Sequence, residues 1–211
     1  MPRYIAAIAL IICSVLTWAC ADPAANKPKA SVSNAQESNT AKPAEAETLA
    51  ITPENSKVEF IAAKVTRSHN GSFKKFSGAI DLVANHLENS RVTIDIETGS
   101  VVTDEDKLTA HLKTPDFFDA AKYPKATFLS TRIEPGNTGG ATHMVTGNFE
   151  LHGVKKSISF PANIQVAPDN VSVNSEFSIN RTDFQILFPG KADDLIRDGV
   201  VIKLSLKVPR H

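Results

Sequence analysis

Hydrophobic and polar side chains alternate with period two through most of the chain beyond residue 56. The clearest case is residues 91–97, where threonine and aspartate separate Val92, Ile94 and Ile96. Alternation of this kind predicts a β-strand with one face in a core and the other in water. The pattern predicts eight such strands, at residues 57–62, 76–82, 91–97, 126–130, 145–151, 158–166, 171–179 and 200–208.

The predicted strands are mostly joined by short segments rich in turn residues, which favours antiparallel pairing. An open sheet of that size would leave long edges exposed, whereas closing the sheet into a barrel removes them. We therefore predict an all-β protein with an eight-stranded antiparallel barrel, and a two-sheet sandwich is the alternative. Pro161 falls inside the sixth strand and indicates an edge or a bulge there, because proline has no N–H to donate to a ladder.

One short helix is predicted between the third and fourth strands. Thr103 can cap a turn that runs through residue 112, with acidic residues at its positive end. Pro115 follows closely and ends the helix. The fold class is therefore all-β with one helical interruption.

Residues 111–128 follow no repeating period. Pro115 and Pro124 fix the backbone and exclude a single continuous helix. Four aromatic rings lie in this segment, which is too polar for an ordinary core strand. We expect it to form a lid or a wall of the barrel, with Phe117 and Phe118 at an entrance.

The first 20 residues have the features of an export signal. Arg3 precedes an apolar run at residues 5–16 that is of signal-peptide length and too short for a comfortable membrane span. Three outcomes are open at the end of this run: lipidation of Cys20, simple cleavage, or a retained anchor. We expect an exported, periplasmic protein that is tethered to a membrane as a lipoprotein through Cys20.

The residues after Cys20 differ in composition from the rest of the chain. Residues 21–50 are dominated by Ala, Pro, Lys, Asn, Ser and Glu and contain almost no large apolar side chain. Such a composition predicts a disordered tether, because too little apolar surface is present to drive folding. The folded barrel domain is then predicted to occupy residues 51–211.

Charge and cysteine content exclude several classes of function. The 23 basic and 23 acidic side chains cancel, so no net charge attracts the protein to nucleic acid or to an anionic membrane. Both cysteines, Cys13 and Cys20, precede the predicted body, which therefore has neither an internal disulfide nor a catalytic thiol. A membrane is expected as a partner only through the lipid anchor, and a homodimer is left open.

The sequence contains no recognisable catalytic or metal-binding motif. The six histidines lack the spacing of a metal site, and there is no Gly-x-Ser-x-Gly elbow, phosphate loop or dinucleotide fingerprint. Two carboxylate pairs, Asp104 with Asp106 and Asp193 with Asp194, are interpreted as a helix start and a solvated loop. We expect a protein that is not an enzyme and that uses no cofactor and no metal.

The phenylalanines carry more information than the charged residues. Eleven are present, many on the predicted inward faces of strands, so a large apolar surface points at one interior. These rings either pack against one another in a filled core or line a cavity for an apolar ligand. Composition and period alone do not choose between the two interpretations.

Six short motifs resemble those of the YceI-like family of polyisoprenoid-binding, lipocalin-like periplasmic proteins. The similarity lies in their order and spacing and spans residues 56–208. The motifs are SKVEF at 56–60, GSFKKFSG at 71–78, HLKTPDFFD at 111–119, YPKATF at 123–128, GNFELHGV at 147–154 and NRTDF at 180–184.

The resemblance implies a lipocalin-like barrel whose tunnel takes an isoprenoid chain or another amphiphilic lipid, without metal or covalent catalysis. We therefore predict a protein of the bacterial envelope that carries or sequesters such a lipid. Arg181 and Asp183 are expected to contact a head group or to pair with each other at a corner. The candidate ligand-binding residues are Phe60, Ile80, Ile94, Phe117, Phe118, Phe128, Phe149, Phe160, Phe177 and Leu204.

Two alternative functions remain at this point. A structural or stress-related envelope module would have a filled core, and an enzyme acting on a lipid would bury Asp183 or His111 beside the cavity. The chain also departs from the family pattern: Gln185 stands where the family usually has glycine, and residues 64–70 are longer and more polar than usual. The identity of the ligand is therefore not transferred by the resemblance.

Overall fold

The computed structural model describes residues 21–38, 41–43, 45–83, 86–136 and 138–210. The predicted export signal and Cys20 lie outside the described residues. The strands are β1 (Ser31–Asn34), β2 (Glu47–Ile51), β3 (Ser56–Ala63), β4 (Ser68–Phe73), β5 (Phe76–Leu82), β6 (Arg91–Glu97), β7 (Val101–Thr103), β8 (Lys125–Pro135), β9 (His143–Leu151), β10 (Val154–Val166), β11 (Asn170–Asn180), β12 (Gly190–Lys191), β13 (Asp194–Leu195) and β14 (Gly199–Pro209). The α-helix is α1 (Asp106–Leu112), and short 3₁₀ helices lie at Leu87–Asn89, Thr98–Ser100, Thr138–Gly140 and Arg181–Phe184.

The strands form one strongly curled antiparallel sheet, apart from the small β12–β13 hairpin. Neighbouring strands follow the order β2, β5, β6, β8, β9, β10, β11, β14, β3, β4, β7, and β1 pairs with β10. The pairing of β14 with β3 brings the C-terminal strand beside the beginning of the body. The prediction of an all-β, lipocalin-like architecture with one short helix is confirmed.

The sheet has more strands than the eight predicted ones. All eight are present, and the structure adds short or polar strands such as β4, whose residues alternation did not mark. Strand β4 forms because β3 and β7 supply backbone partners on both of its sides, so its Gly71 lies between Phe60 and Thr103. Within the described residues the order of strands ends at β2 and β7 with no ladder between them, so the barrel is curled but not closed by hydrogen bonds.

Helix α1 begins later than the sequence predicted. Thr103 belongs to β7 and donates from its hydroxyl to the Glu105 carbonyl, while Asp104 accepts hydrogen bonds from the His69 ring at 2.8 Å and the Asn70 N–H at 3.3 Å. These contacts hold residues 103–104 in the sheet region. The helix therefore starts at Asp106, and Thr103 is not its cap.

The prediction of a disordered tether at residues 21–50 is wrong for much of this segment. Strand β2 begins at Glu47 and pairs with β5, and β1 pairs with residues 156–159 of β10. Just before β1, the Ala30 N–H donates to the Ser178 carbonyl of β11 at 2.8 Å, and the Ser178 N–H donates to the Pro28 carbonyl at 2.8 Å. A composition that predicts disorder is overridden here because backbone pairing does not depend on apolar side chains.

Residues 28–34 fill a gap between β10 and β11. Those two strands pair with each other only over Asn163–Val166 and Val171–Asn174, and beyond that point the N-terminal segment lies between them. Pro161 lies close to where β10 changes partners, a place where a missing N–H is tolerated. We call residues 28–34 the seam strand.

Side chains also hold the seam strand and the residues beside it. Ala30 is only 4% exposed and Val32 packs against the core. The buried Asn148 accepts a hydrogen bond from the Gln36 N–H at 2.9 Å and donates to the Gln36 carbonyl at 2.7 Å. The N-terminal segment is thus a component of the wall.

We predict that Ala30→Asp detaches the seam strand, because a carboxylate at this buried position has no partner. Hydrogen exchange at residues 28–34 should accelerate at least tenfold, while the β8–β9 ladder keeps its protection. Ala25→Asp is the control, since Ala25 is exposed. Unchanged protection in Ala30→Asp would show that the segment is held without Ala30.

We also predict that acid weakens this attachment. Glu176 of β11 accepts from Lys27 at 3.0 Å and lies 3.4 Å from Lys203, and the hydrogen bond from Lys27 is the main cause that holds the pKa of Glu176 below its usual value. A lowered pKa stabilises the attached state at neutral pH, and this contribution is lost as pH falls through the pKa of the attached form. The protection factors of the amides at residues 27 and 29–34, which correct for the intrinsic slowing of exchange in acid, should fall in that acid range. Glu176→Gln should remove this part of the pH dependence.

Candidate ligand cavity

A cavity of about 180 Å³ lies inside the curl of the sheet. Its lining is contributed by β3, β4, β6, β8, β9, β10, β11 and β14, by α1 and by the segments that follow α1, β11 and β13. Among the lining residues only Glu59 and Arg181 are charged, and the Glu59 side chain lies on the other face of β3 from its neighbours Val58 and Phe60. The cavity can hold an apolar molecule and offers it few polar contacts.

Aromatic rings from neighbouring strands form much of this wall. Phe128 lies 5.7 Å from Phe160, measured between ring centroids, and Phe160 stacks on Phe177 at 4.2 Å with an interplanar angle of 9°. Phe128 is also the direct cross-strand partner of both Ile94 and Phe149. Direct cross-strand partners place their side chains on the same face of a sheet.

Several inward-facing side chains are not fully buried. Four residues that line the cavity are only half-buried: Phe128, Phe149, Ile202 and Leu204. Other core positions in the same strands, such as Ala126, Leu151 and Leu206, are buried. Since strand positions direct the four half-buried side chains inward, their remaining accessible surface opens onto the cavity. The core is therefore incompletely filled by its own side chains.

Two glycines hold rings of the wall in place. A Cβ added at Gly71 would overlap the Phe60 ring, and one added at Gly147 would overlap the Phe128 ring and the Leu129 carbonyl oxygen. Both rings therefore lie over backbone that carries no side chain. Close approach of this kind is a common reason for glycine within a strand.

A cluster of rings lies at the α1 end of the cavity. Phe117 is buried and contacts Phe188 at 5.4 Å and His111 at 4.9 Å, while Phe118 lies 5.7 Å from Phe73. Phe117 and Phe118 both line the cavity and so form its wall at this end. The backbone reaches this position because the Phe118 N–H donates to the Leu112 carbonyl at the end of α1.

Arg181 is buried at the corner after β11, and its bonds are to the protein itself. Its guanidinium donates to the carbonyls of Ile186 at 2.7 Å, Arg197 at 3.2 Å and Ile196 at 3.3 Å, and it lies 3.1 Å from the Asp198 carboxylate. The expected corner role is present, but the ion-pair partner is Asp198 and not Asp183. Asp183 instead borders a separate polar hollow with Lys29 and Lys156.

Nine of the ten predicted ligand-binding residues lie along the cavity, and Ile80 does not. Ile80 is buried beside Leu49, its direct partner in β2, in a part of the core that side chains fill. Sequence reasoning missed Phe73, Ile186 and Ile196, which also line the cavity. Phe73 lies in the recognised 71–78 motif, but Ile186 and Ile196 lie in irregular segments where no period marks the inward face.

The polar residues considered for catalysis do not meet at this cavity. His111 is hydrogen-bonded to Asp116 at 2.8 Å, its side chain is 39% exposed, and neither it nor Asp183 is among the lining residues. Asp194 is bound by Lys64 at 2.7 Å. Across the part of the chain that the structure describes, no three His, Cys, Asp or Glu side chains are grouped so that they could hold a metal ion.

Comparison with protein families and curated proteins places the chain among known relatives. Residues 49–208 match the model of the YceI-like domain. A UPF0312 protein of Pseudomonas putida (strain W619) is 32% identical over 127 residues, which are 57% of this chain and 65% of that protein. A UPF0312 protein of Pseudomonas syringae pv. syringae is 33% identical over the same shares. The chain thus spans slightly less than two thirds of the length of these curated relatives.

Solved structures share the architecture. Burkholderia cenocepacia BcnA has a TM-score of 0.64 at 25% identity and covers 72% of this chain and 95% of its own. The Campylobacter jejuni YCEI protein has a TM-score of 0.55 at 26% identity and covers 67% of this chain and 84% of its own. A polyisoprenoid binding domain from Saccharophagus degradans has a TM-score of 0.62, with 79% and 100% covered, and its 18% identity shows the fold alone.

We predict that Gly71→Ala pushes the Phe60 ring toward the cavity, because the new Cβ and the ring need the same space. The free energy of unfolding should fall by about 1–3 kcal/mol, as for other overpacked cores. The affinity for an apolar fluorescent probe, measured by fluorescence titration, should fall as well. Gly99→Ala is the control, because its Cβ would lie 3.9 Å from the Ala120 Cβ and should leave both quantities almost unchanged. Equal behaviour of the two variants would contradict the role of Gly71.

Proposed function

Because the chain belongs to the YceI-like domain family, we propose that it binds a slender, largely apolar amphiphile in the cavity and carries or sequesters it. An isoprenoid chain is the leading candidate. The observation that carries this proposal is the unfilled interior, whose lining residues are apolar except for Glu59 and Arg181. Family membership supports a binding protein rather than an enzyme.

Shape favours a narrow ligand. Ligand pockets generally enclose about 300–1,000 Å³, whereas this cavity has about 180 Å³. A single unbranched or methyl-branched chain suits such a space better than a fused ring system does. Longer chains require some side chains of the wall to change rotamer.

Burial supplies the binding free energy. A chain that buries about 300 Å² of apolar surface gains roughly 7 kcal/mol at about 25 cal/mol per Å², before the costs of ordering. The polar head contributes little through Arg181, whose guanidinium is already bound to three carbonyls and Asp198. The head group is therefore expected to remain near solvent.

Export and lipidation at Cys20 belong to the same proposal. Cys20 lies two residues before Asp22, whose carboxylate is 3.6 Å from Arg197. Since two residues span at most about 7 Å, a lipid on Cys20 would hold the barrel against the membrane and not at the end of a long tether. The mass of the mature N-terminus tests this, and an unmodified chain that begins at Asp22 would refute lipidation.

Native mass spectrometry of the protein purified from its own envelope, followed by lipid extraction, tests the ligand. An amphiphile should co-purify, and a series of polyprenols should show an optimum chain length. Failure of every chain length to bind, together with no co-purified amphiphile, would refute the proposal.

A matched pair of variants locates binding in the cavity. Leu204→Trp should lower the affinity for the best polyprenol at least tenfold, because Leu204 lines the cavity. Ser205→Trp places the same ring on the exposed face of β14 and should retain the wild-type affinity. Equal affinities in the two variants would place the ligand outside the cavity.

A further inference from the structure

Large apolar side chains are exposed together at one end of the molecule. Among the described residues, four are exposed: Leu187 at 58%, Leu195 at 48%, Val65 at 43% and Val166 at 41%. Single exposed apolar side chains are normal in soluble proteins. Three of these four, however, belong to adjoining loops, and we call Val65, Leu187 and Leu195 the apolar rim.

Backbone hydrogen bonds hold the loops of the rim together. The Val65 N–H donates to the Leu195 carbonyl at 3.1 Å, which joins the turn after β3 to the β12–β13 hairpin. Leu195 pairs with Gly190, and the Ile196 N–H donates to the Pro189 carbonyl at 2.9 Å, just after Leu187. The loops that carry the rim residues are therefore joined to one another.

The rim adjoins the cavity. Ile186 and Ile196, the chain neighbours of Leu187 and Leu195, line the cavity, and the buried Arg181 binds both of their carbonyls. Each loop thus places one apolar side chain in the interior and the next one in solvent. An apolar molecule that enters or leaves at this end passes the rim.

The described chain also begins at this end. Asp22 pairs with Arg197, two residues after Leu195, and a Cβ added at Gly199 would lie 2.9 Å from the Ala24 Cβ. Residues 22–24 therefore lie beside the loop that carries Leu195, and the apolar run at residues 5–16 precedes them in the chain. Any membrane attachment made by that segment brings the rim close to lipid.

Charges around the rim are balanced. Lys64 lies 2.7 Å from Asp194, and Arg67 lies 3.7 Å from Glu105. Nearby, Arg181 is paired with Asp198. Such a surface neither attracts nor repels anionic lipid strongly, so its contact with a membrane depends on apolar side chains.

We propose that the rim docks on the surface of a lipid bilayer, so that the cavity exchanges its amphiphile with the membrane at this end. The docking does not depend on the identity of the ligand. The exchange rests on the proposed function. The partner of the rim is therefore the lipid bilayer itself. The protein should bind zwitterionic and anionic bilayers equally well.

Tryptophan fluorescence tests the docking. Trp18 is the chain's single tryptophan, so the full chain with Trp18→Phe has no tryptophan fluorescence of its own. This variant is expressed in a bacterial host that processes the N-terminus. Leu187→Trp and Leu195→Trp are compared with Val166→Trp, which places an indole on an exposed position at the end of β10. The vesicles are phosphatidylcholine with or without phosphatidylglycerol, and they carry brominated acyl chains.

We expect the emission of both rim indoles to shift to shorter wavelength and to be quenched at least twofold more than that of Val166→Trp, with both vesicle types. Quenching no greater than in Val166→Trp would overturn the docking. A shift without vesicles that grows with protein concentration would assign the rim to a second copy. A shift without vesicles at every concentration would show that the protein itself already covers the rim. Either result would also overturn the proposal.

Serine variants separate the docking from ligand binding. Leu187→Ser combined with Leu195→Ser should slow the transfer of a fluorescent polyprenol from vesicles to the protein at least fivefold, whereas Val166→Ser should not. The wild type, the double variant and Val166→Ser should bind the same polyprenol with equal affinity at equilibrium in detergent solution. Far-ultraviolet circular dichroism verifies that all three are folded. Wild-type transfer rates in the double variant would refute the exchange, and absent binding in the wild type would instead refute the proposed function.

Discussion

The structure depends on a mismatch between the width of the curled sheet and the volume of the side chains that point into it. Phenylalanine is the bulkiest common inward residue here, yet Phe60 and Phe128 lie over Gly71 and Gly147 and so occupy space that a Cβ would otherwise take. A ring held against the wall contributes its apolar area to the core without reaching the centre. The cavity is thus a consequence of how rings and glycines are paired across strands.

The seam strand solves a second problem that the same curvature creates. Where β10 and β11 separate, both would present unpaired N–H and C=O groups beside an apolar interior, and such groups are costly when they lack partners. Residues 28–34 supply those partners, and Ala30 is small enough to fill the position between the strands. This stretch lies before residue 49, where the match to the YceI-like domain begins, so the wall includes a segment outside the matched residues.

Much of the fold could be predicted from sequence because inward faces alternate regularly, as in Val92, Ile94 and Ile96. Alternation also placed most of the cavity wall, since a strand position determines on which face a side chain lies. It failed for β4 and for the seam strand, whose polar residues are held by backbone pairing. It also could not find Ile186 and Ile196, because their inward direction is set by the distant hydrogen bonds of Arg181 and not by a local period.

Two findings differ from the sequence predictions and together determine how the cavity is placed relative to the N-terminal segment. Residues 28–34 are part of the wall, and Arg181 pairs with Asp198 and not with Asp183. A long tether would have left the orientation of the barrel free, so that no particular end would face a membrane. With residues 22–38 attached to the wall, the chain enters the fold at the end where Arg181 joins the loops of Ile186 and Ile196. The guanidinium that the sequence predicted as a head-group contact therefore fixes the loops at the end of the cavity, and the proposed ligand meets mainly the apolar wall.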